Sequence, residues 1–329
     1  PYTTLFRSEV MPLISNYENQ YKKVLFESPY REFLEEKINK IYFKNIELAN
    51  NSISEEILPL MQEENALISK YDKVIASAKI PFDGEEYNIS LLRKKLTDEN
   101  RDTRKRAWMA LSEYFLSVTD EIDDIYDKLV KNRTEQAKKL GYENYVELGY
   151  NRMQRNAYRR AEVENFRKQI KESFVPFVCE IQEKRKAQIG VEKLKYYDND
   201  VFFKNGNPAP IGTPEEIMKA GQDMYSELSP ETKEFFDFMM ENELFDVLGR
   251  KTKKAGGYMD FLPKYKAPFI FANFNGTSGD VDVITHECGH AFQGYVTRND
   301  ETPENNDLTM ETAEIHSMSM EYFTYGWMD

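Results

Sequence analysis

The chain has 329 residues, 40% of them hydrophobic and 31% charged, with a formal net charge of −13. That length supports one large domain or two ordinary ones around a sizeable core, and the acidic balance argues against nucleic acid or an anionic membrane as the main partner, since both attract basic surfaces. Two cysteines are too few for a disulfide framework, no run approaches the roughly 18 apolar residues of a membrane span, and no secretory signal is present, so a cytoplasmic setting is expected.

Residues 1–8 lack a Met start and an amphipathic period, and are expected to be a non-native leader outside the fold. Helical periodicity then dominates, with apolar residues spaced three and four apart over 11–26, 30–49 and 53–71. A small hairpin is expected where 74–80 and 86–89 flank Phe82-Asp83-Gly84. Helices over 102–118 and 120–140 follow, and Gly141 suits the residue just past the end of the second. Residues 161–189 read as one long helix ending at Gly190 and kinked by Pro176. A polar loop over 197–212 leads to two well-marked helix starts, Thr213-Pro214-Glu215-Glu216 and Ser229-Pro230. A second strand pair is expected over 257–261 and 268–274. The expected architecture is mainly α, with a small β-sheet just upstream of residue 286. In domain terms, 9–250 is expected to form a helical lobe with a hairpin, and 251–329 part of a catalytic region.

The chain has three histidines, and two of them fall in His286-Glu287-Cys288-Gly289-His290. On a helix four residues advance a side chain by about 400°, so both imidazoles leave one face a turn apart. That spacing lets two ring nitrogens reach one Zn²⁺ at about 2.0–2.1 Å. Glu287 sits about 100° round, close enough to handle a water at the metal without ligating it. Cys288 is a rival ligand by chemistry, but it lies about 200° from His286 and suits a buried structural thiol better. Gly279 and Asp280 start the helix, and a polar loop over 298–307, with Pro303, ends its neighbourhood.

The next helix, near 309–322, should supply a third ligand. Glu311, Glu314 and Glu321 are its acidic residues; spacing favours Glu314, with Glu311 behind it. His316 points across that helix and suits a supporting or substrate-facing place. Two His and one Glu would leave an open position, as a catalytic site requires.

Four segments carry a resemblance: Gly276-Thr277-Ser278-Gly279-Asp280-Val281-Asp282-Val283, then 286–293, then Glu314-Ile315-His316-Ser317-Met318-Ser319-Met320-Glu321, and the upstream run Ala267-Pro268-Phe269-Ile270-Phe271-Ala272-Asn273-Phe274. With Leu140-Gly141-Tyr142-Glu143-Asn144, they resemble the thimet oligopeptidase and oligoendopeptidase F family of zinc metallopeptidases, closest to its bacterial oligoendopeptidases. The resemblance implies a two-lobed helical zincin-type fold, one zinc per chain held by His286, His290 and Glu314, and internal cleavage of short peptides. It also implies a chain truncated at both ends, without the His and Tyr residues that bind the transition state.

The expected chemistry is hydrolysis by an activated water: zinc acidifies the water and polarises the scissile carbonyl, and Glu287 takes the proton and passes it to the leaving amine. Glu321 is the candidate carboxylate behind a ligand imidazole. An edge strand, Pro268, Phe269, Ile270, Phe271, Ala272, Asn273 and Phe274, is expected to pair with the oligopeptide substrate. No obligate protein partner is evident. The competing readings are a catalytically incomplete helical fragment that binds zinc and peptides, and a chance motif in a structural helical protein.

Overall fold

The computed structural model describes residues 6–302, 306 and 308–328; the first five residues of the expected leader, and 303–305 with Pro303, lie outside the described residues. The helices in chain order are α1 (Met11–Phe26), α2 (Arg31–Lys37), α3 (Lys40–Asn50), α4 (Leu58–Ala76), α5 (Ile89–Leu96), α6 (Arg101–Ser117), α7 (Thr119–Lys139), α8 (Tyr145–Arg152), α9 (Arg160–Gln169), α10 (Val175–Gln188), α11 (Pro214–Leu228), α12 (Pro230–Glu241), α13 (Gly279–Val296) and α14 (Met310–Thr324). The strands are β1 (Ile80–Phe82), β2 (Glu85–Tyr87), β3 (Phe245–Leu248), β4 (Tyr258–Leu262) and β5 (Ala267–Phe274). The mainly α architecture with small sheets is thus the one the periodicity predicts.

The differences have local causes. The helix expected over 30–49 is split, because Asn39 is extended and its side chain accepts from the Ile41 N–H, starting α3 afresh. The first hairpin is shorter than 74–80 and 86–89: helix α4 runs on to Ala76, and Asn88 caps α5 by accepting from Leu91 N–H. Its turn is made by Asp83 and Gly84, both left-handed at φ 49° and 84°, the pair of angles a two-residue hairpin requires. Around Pro176 the helix is not broken. A π turn, Ile170–Phe174, sits between α9 and α10, and Pro176 falls in the first turn of α10, where a missing N–H is tolerated. Strand β3 escapes a periodicity search because it is four residues long.

The chain divides into two compact units that interleave along the sequence: Pro1–Val74 with Ser117–Pro176, and Ile75–Leu116 with Phe177–Asp329. In the first, Tyr42, Phe43 and Ile46 form an apolar cluster with Leu25, Phe26, Leu34 and Ile38. A buried Glu64 there accepts from Arg133 Nε (2.6 Å) and Gln136 Nε2 (2.8 Å), so its charge is paired and hydrogen-bonded.

The second unit holds the three-stranded sheet. Its order is β3-β5-β4, with β5 parallel to β3 and antiparallel to β4. Alternate residues Ile270, Ala272 and Phe274 face a core completed by α11, α12, α13 and Met320 of α14. Tyr225, Phe235, Phe236 and Met239 are its fully buried anchors. Each such side chain removes enough apolar surface to contribute about 1.5–3 kcal/mol. This core fixes the sheet and α13 against one another and so positions the site.

Candidate metal centre

Helices α13 and α14 pack at a point where no side chain fits. A Cβ on Gly289 would stand 2.6 Å from Ser317 Cα and 2.7 Å from the His316 carbonyl oxygen, both backbone atoms. Glycine therefore lets the helices close, and this brings Glu314 over the two histidines. Nε2 of His286 lies 3.3 Å from Glu314 Oε2, and Nε2 of His290 lies 3.9 Å from it. Among the described residues, these three form a metal-capable group with donor atoms within 4.8 Å of one another. Two donors on a tetrahedral zinc at about 2.0–2.1 Å stand about 3.3 Å apart, so the spacing suits such an ion.

The partners of each donor aim it. His286 Nδ1–H donates to Glu321 Oε1 at 2.6 Å, which leaves Nε2 with the lone pair facing Glu314. Burial and the nearby His286 ring hold His290 below the usual imidazole range, and the Ala313 backbone bonds its ring. Ser317 Oγ donates to Glu314 Oε2 at 2.8 Å. Ser317 stands three residues after Glu314 on the same helix, a spacing at which two side chains meet.

Glu287 is buried one residue along from His286. Burial pushes its carboxyl above the usual range and Glu314 adds to this, while His286 and the Met259 backbone N–H hold it down. Met259 belongs to β4, so the carboxyl bridges the helix and the sheet edge. Gly257 leaves room there: a Cβ on it would stand 3.4 Å from Glu287 Oε1. Neither Met259 nor Gly257 could be found from spacing, because both reach the site through strand pairing.

Cys288 is fully buried in the core and its thiol is pushed up by burial. The start of α13 departs from a simple cap. Ser278 makes no cap, and buried Asp280 instead accepts from the Asn275 and Gly276 N–H groups at 2.9 and 2.7 Å. Glu311 is exposed and outside the donor group, and so is half-buried His316, whose Nδ1 has no partner among the described residues.

The expectation for residues 268–274 needs correction. Strand β5 is central, with β3 on one side and β4 on the other, so its backbone is already paired on both sides and cannot take a further strand. The free edge beside Glu287 belongs to β4.

A metal-capable His–Glu set on two crossed helices, next to a small sheet in a helical unit, is the architecture of a metallopeptidase. The chain belongs to peptidase family M3: residues 95–209 and 218–326 match that family, and residues 4–53 match the Peptidase M3 N-terminal domain. Among solved structures, an oligoendopeptidase F assignment from Bacillus anthracis str. Ames is 47% identical, with a TM-score of 0.96 over 99% of this chain and 60% of that one. A PZ peptidase A, solved with an inhibitor, is 48% identical, with a TM-score of 0.97 over 99% of this chain and 58% of that one. A peptidase from Chlamydophila abortus, 17% identical at a TM-score of 0.59, shares the fold. The chain thus spans about 60% of the length of the first of these structures. No curated protein matches it.

Proposed function

We propose that this chain carries the zinc-binding part of an endopeptidase that cuts short peptides internally. The observation that carries the reading is the convergence of His286, His290 and Glu314 within 4.8 Å beside a buried Glu287. Zn²⁺ bound by these three would supply Lewis acidity to the scissile carbonyl and to a water. Glu287 acts as the general base and then the acid: its raised pKa suits a group that takes a proton from water and returns it to the leaving amine. Glu321 holds the His286 ring, and Ser317 holds Glu314.

The substrate lies extended along β4, the free edge, and gains affinity from backbone pairing with little demand on sequence. This suits oligopeptides as a class. Among the described residues no helix is long and apolar enough to cross a membrane.

The test measures zinc stoichiometry and cleavage of a quenched-fluorescent peptide by the wild type and by Glu287→Gln. One zinc per chain in both proteins, with turnover lost only in the variant, is the expected result. Turnover kept by the variant removes Glu287 as base. Zinc bound without cleavage by the wild type favours a binding fragment, and no zinc at all defeats the reading.

A further inference from the structure

The second unit contains a cavity of about 590 Å³ that the metal chemistry does not use. It lies within the range of small-ligand pockets, about 300–1,000 Å³. Its apolar wall is formed by Ile89 of α5 and by Trp108, Leu111 and Phe115 of α6. Its other side is the end of β5 and the start of α13, with Asn273, Asp280 and Val283.

The cavity lies beside Glu287. Val283 lines it and lies one turn before Glu287 on the same face of α13. Gly257 lines it as well, and a Cβ at that position would come within 3.4 Å of Glu287 Oε1. A group held in the cavity therefore stands close to the Glu287 carboxyl.

The lining says what kind of group enters. Asn273 Nδ2 donates to the carbonyls of Lys254 and Gly256, both at 2.8 Å, which fixes its carboxamide. Its Oδ1 is buried and has no partner among the described residues. Arg93 and Asp200 are both exposed and bring opposite charges, and the buried Asp280 carboxylate is taken up by the Asn275 and Gly276 N–H groups, so the accessible lining favours no net charge. Such a wall matches a large uncharged residue of a peptide, with its side chain on Trp108 and Leu111.

We propose that this cavity is a specificity subsite for one large apolar or aromatic residue of the substrate, near the bond that is cut. The assignment rests on the peptidase reading. Trp108 and Phe115 are its specificity-determining side chains.

The experiment uses the zinc-loaded protein and a set of quenched-fluorescent peptides in which a single Phe moves through an otherwise Ala-rich sequence, with cut sites mapped by mass spectrometry. The expected result is a preference of about tenfold or more in kcat/KM for Phe over Ala at one position relative to the cut, in line with what an apolar pocket discriminates. The ratio should fall to about threefold or less in Trp108→Ala and in Phe115→Ala. Phe115 is 37% exposed, so its truncation keeps the test open where Trp108→Ala fails to fold. A purely structural loss lowers both peptides equally and keeps the ratio, which overturns the proposal. A wild type that cuts every peptide without preference overturns the subsite alone, and one that cuts none overturns the subsite and the peptidase reading together.

Discussion

At the residue scale the site depends most on His286, because both of its ring nitrogens are committed. Nδ1–H is given to Glu321 and Nε2 faces Glu314. An imidazole without that outer partner can rotate and change tautomer, and either change costs ligand basicity. Partners of this kind typically carry 10–100-fold in metal affinity. Glu321→Ala should therefore weaken zinc binding by about 10–100-fold while leaving the helical content unchanged. A competition titration with a chromogenic chelator measures it, and an affinity within about threefold of wild type would show that Glu321 does not orient the ring. The grouping of the candidate donors was legible in the sequence because helical spacing alone places His286 and His290 on one face, with Glu287 beside them. Met259 and Gly257 were not legible, since each acts across a contact between elements that are distant in the chain.

At the scale of elements the decisive contact is the crossing of α13 and α14. Gly289 has no unusual backbone angle; it is required by space. A methyl group there would meet the backbone of Ser317 and His316 at 2.6–2.7 Å, and neither helix can yield without moving its candidate donor side chains. Overpacking of this kind typically costs 1–3 kcal/mol, and more where backbone must shift. Gly289→Ala is expected to destabilise the second unit by about 3 kcal/mol and to weaken zinc binding as well, because Glu314 moves away from His286 and His290. Urea midpoints and zinc affinity measured together check this, and a variant with wild-type values for both would refute the close-packing argument. The sheet teaches the opposite lesson about sequence. The run 268–274 was legible as a strand, and its neighbour over 257–261 as a partner. Its place in the middle of the sheet was not, because the four-residue β3 that pairs with its other side carries too little pattern to be seen. One unseen short strand moved the free edge from β5 to β4.

At the scale of the whole molecule, the acidic composition makes the response to low pH informative. The clearest titrating lock is Asp198, fully buried in the second unit. It accepts from Arg101 Nε and Nη2 (3.1 and 2.7 Å), from Arg104 Nη2 (2.9 Å) and from the Lys195 N–H (2.9 Å). Burial alone would raise its pKa, but the two guanidinium groups outweigh it and hold the carboxyl at about 2, below its ordinary 3.8. A carboxylate whose folded pKa is depressed contributes stability above its unfolded pKa and loses that contribution as pH falls through the folded value. For Asp198 the contribution is about 2 kcal/mol, present in full above about pH 5 and lost between about pH 4 and pH 2. Asp198→Asn removes the titrating group and leaves Arg104, also buried, without its counter-charge, so the variant should be about 3 kcal/mol less stable at pH 7. The gap between variant and wild type should then narrow as pH drops toward 2, because protonation brings the wild type to a similar state. Comparing the two proteins cancels the general effect of neutralising the other carboxylates. Urea unfolding of both at pH 7 and pH 3 decides the matter: a gap of equal size at the two pH values would mean that the ion cluster is not the lock.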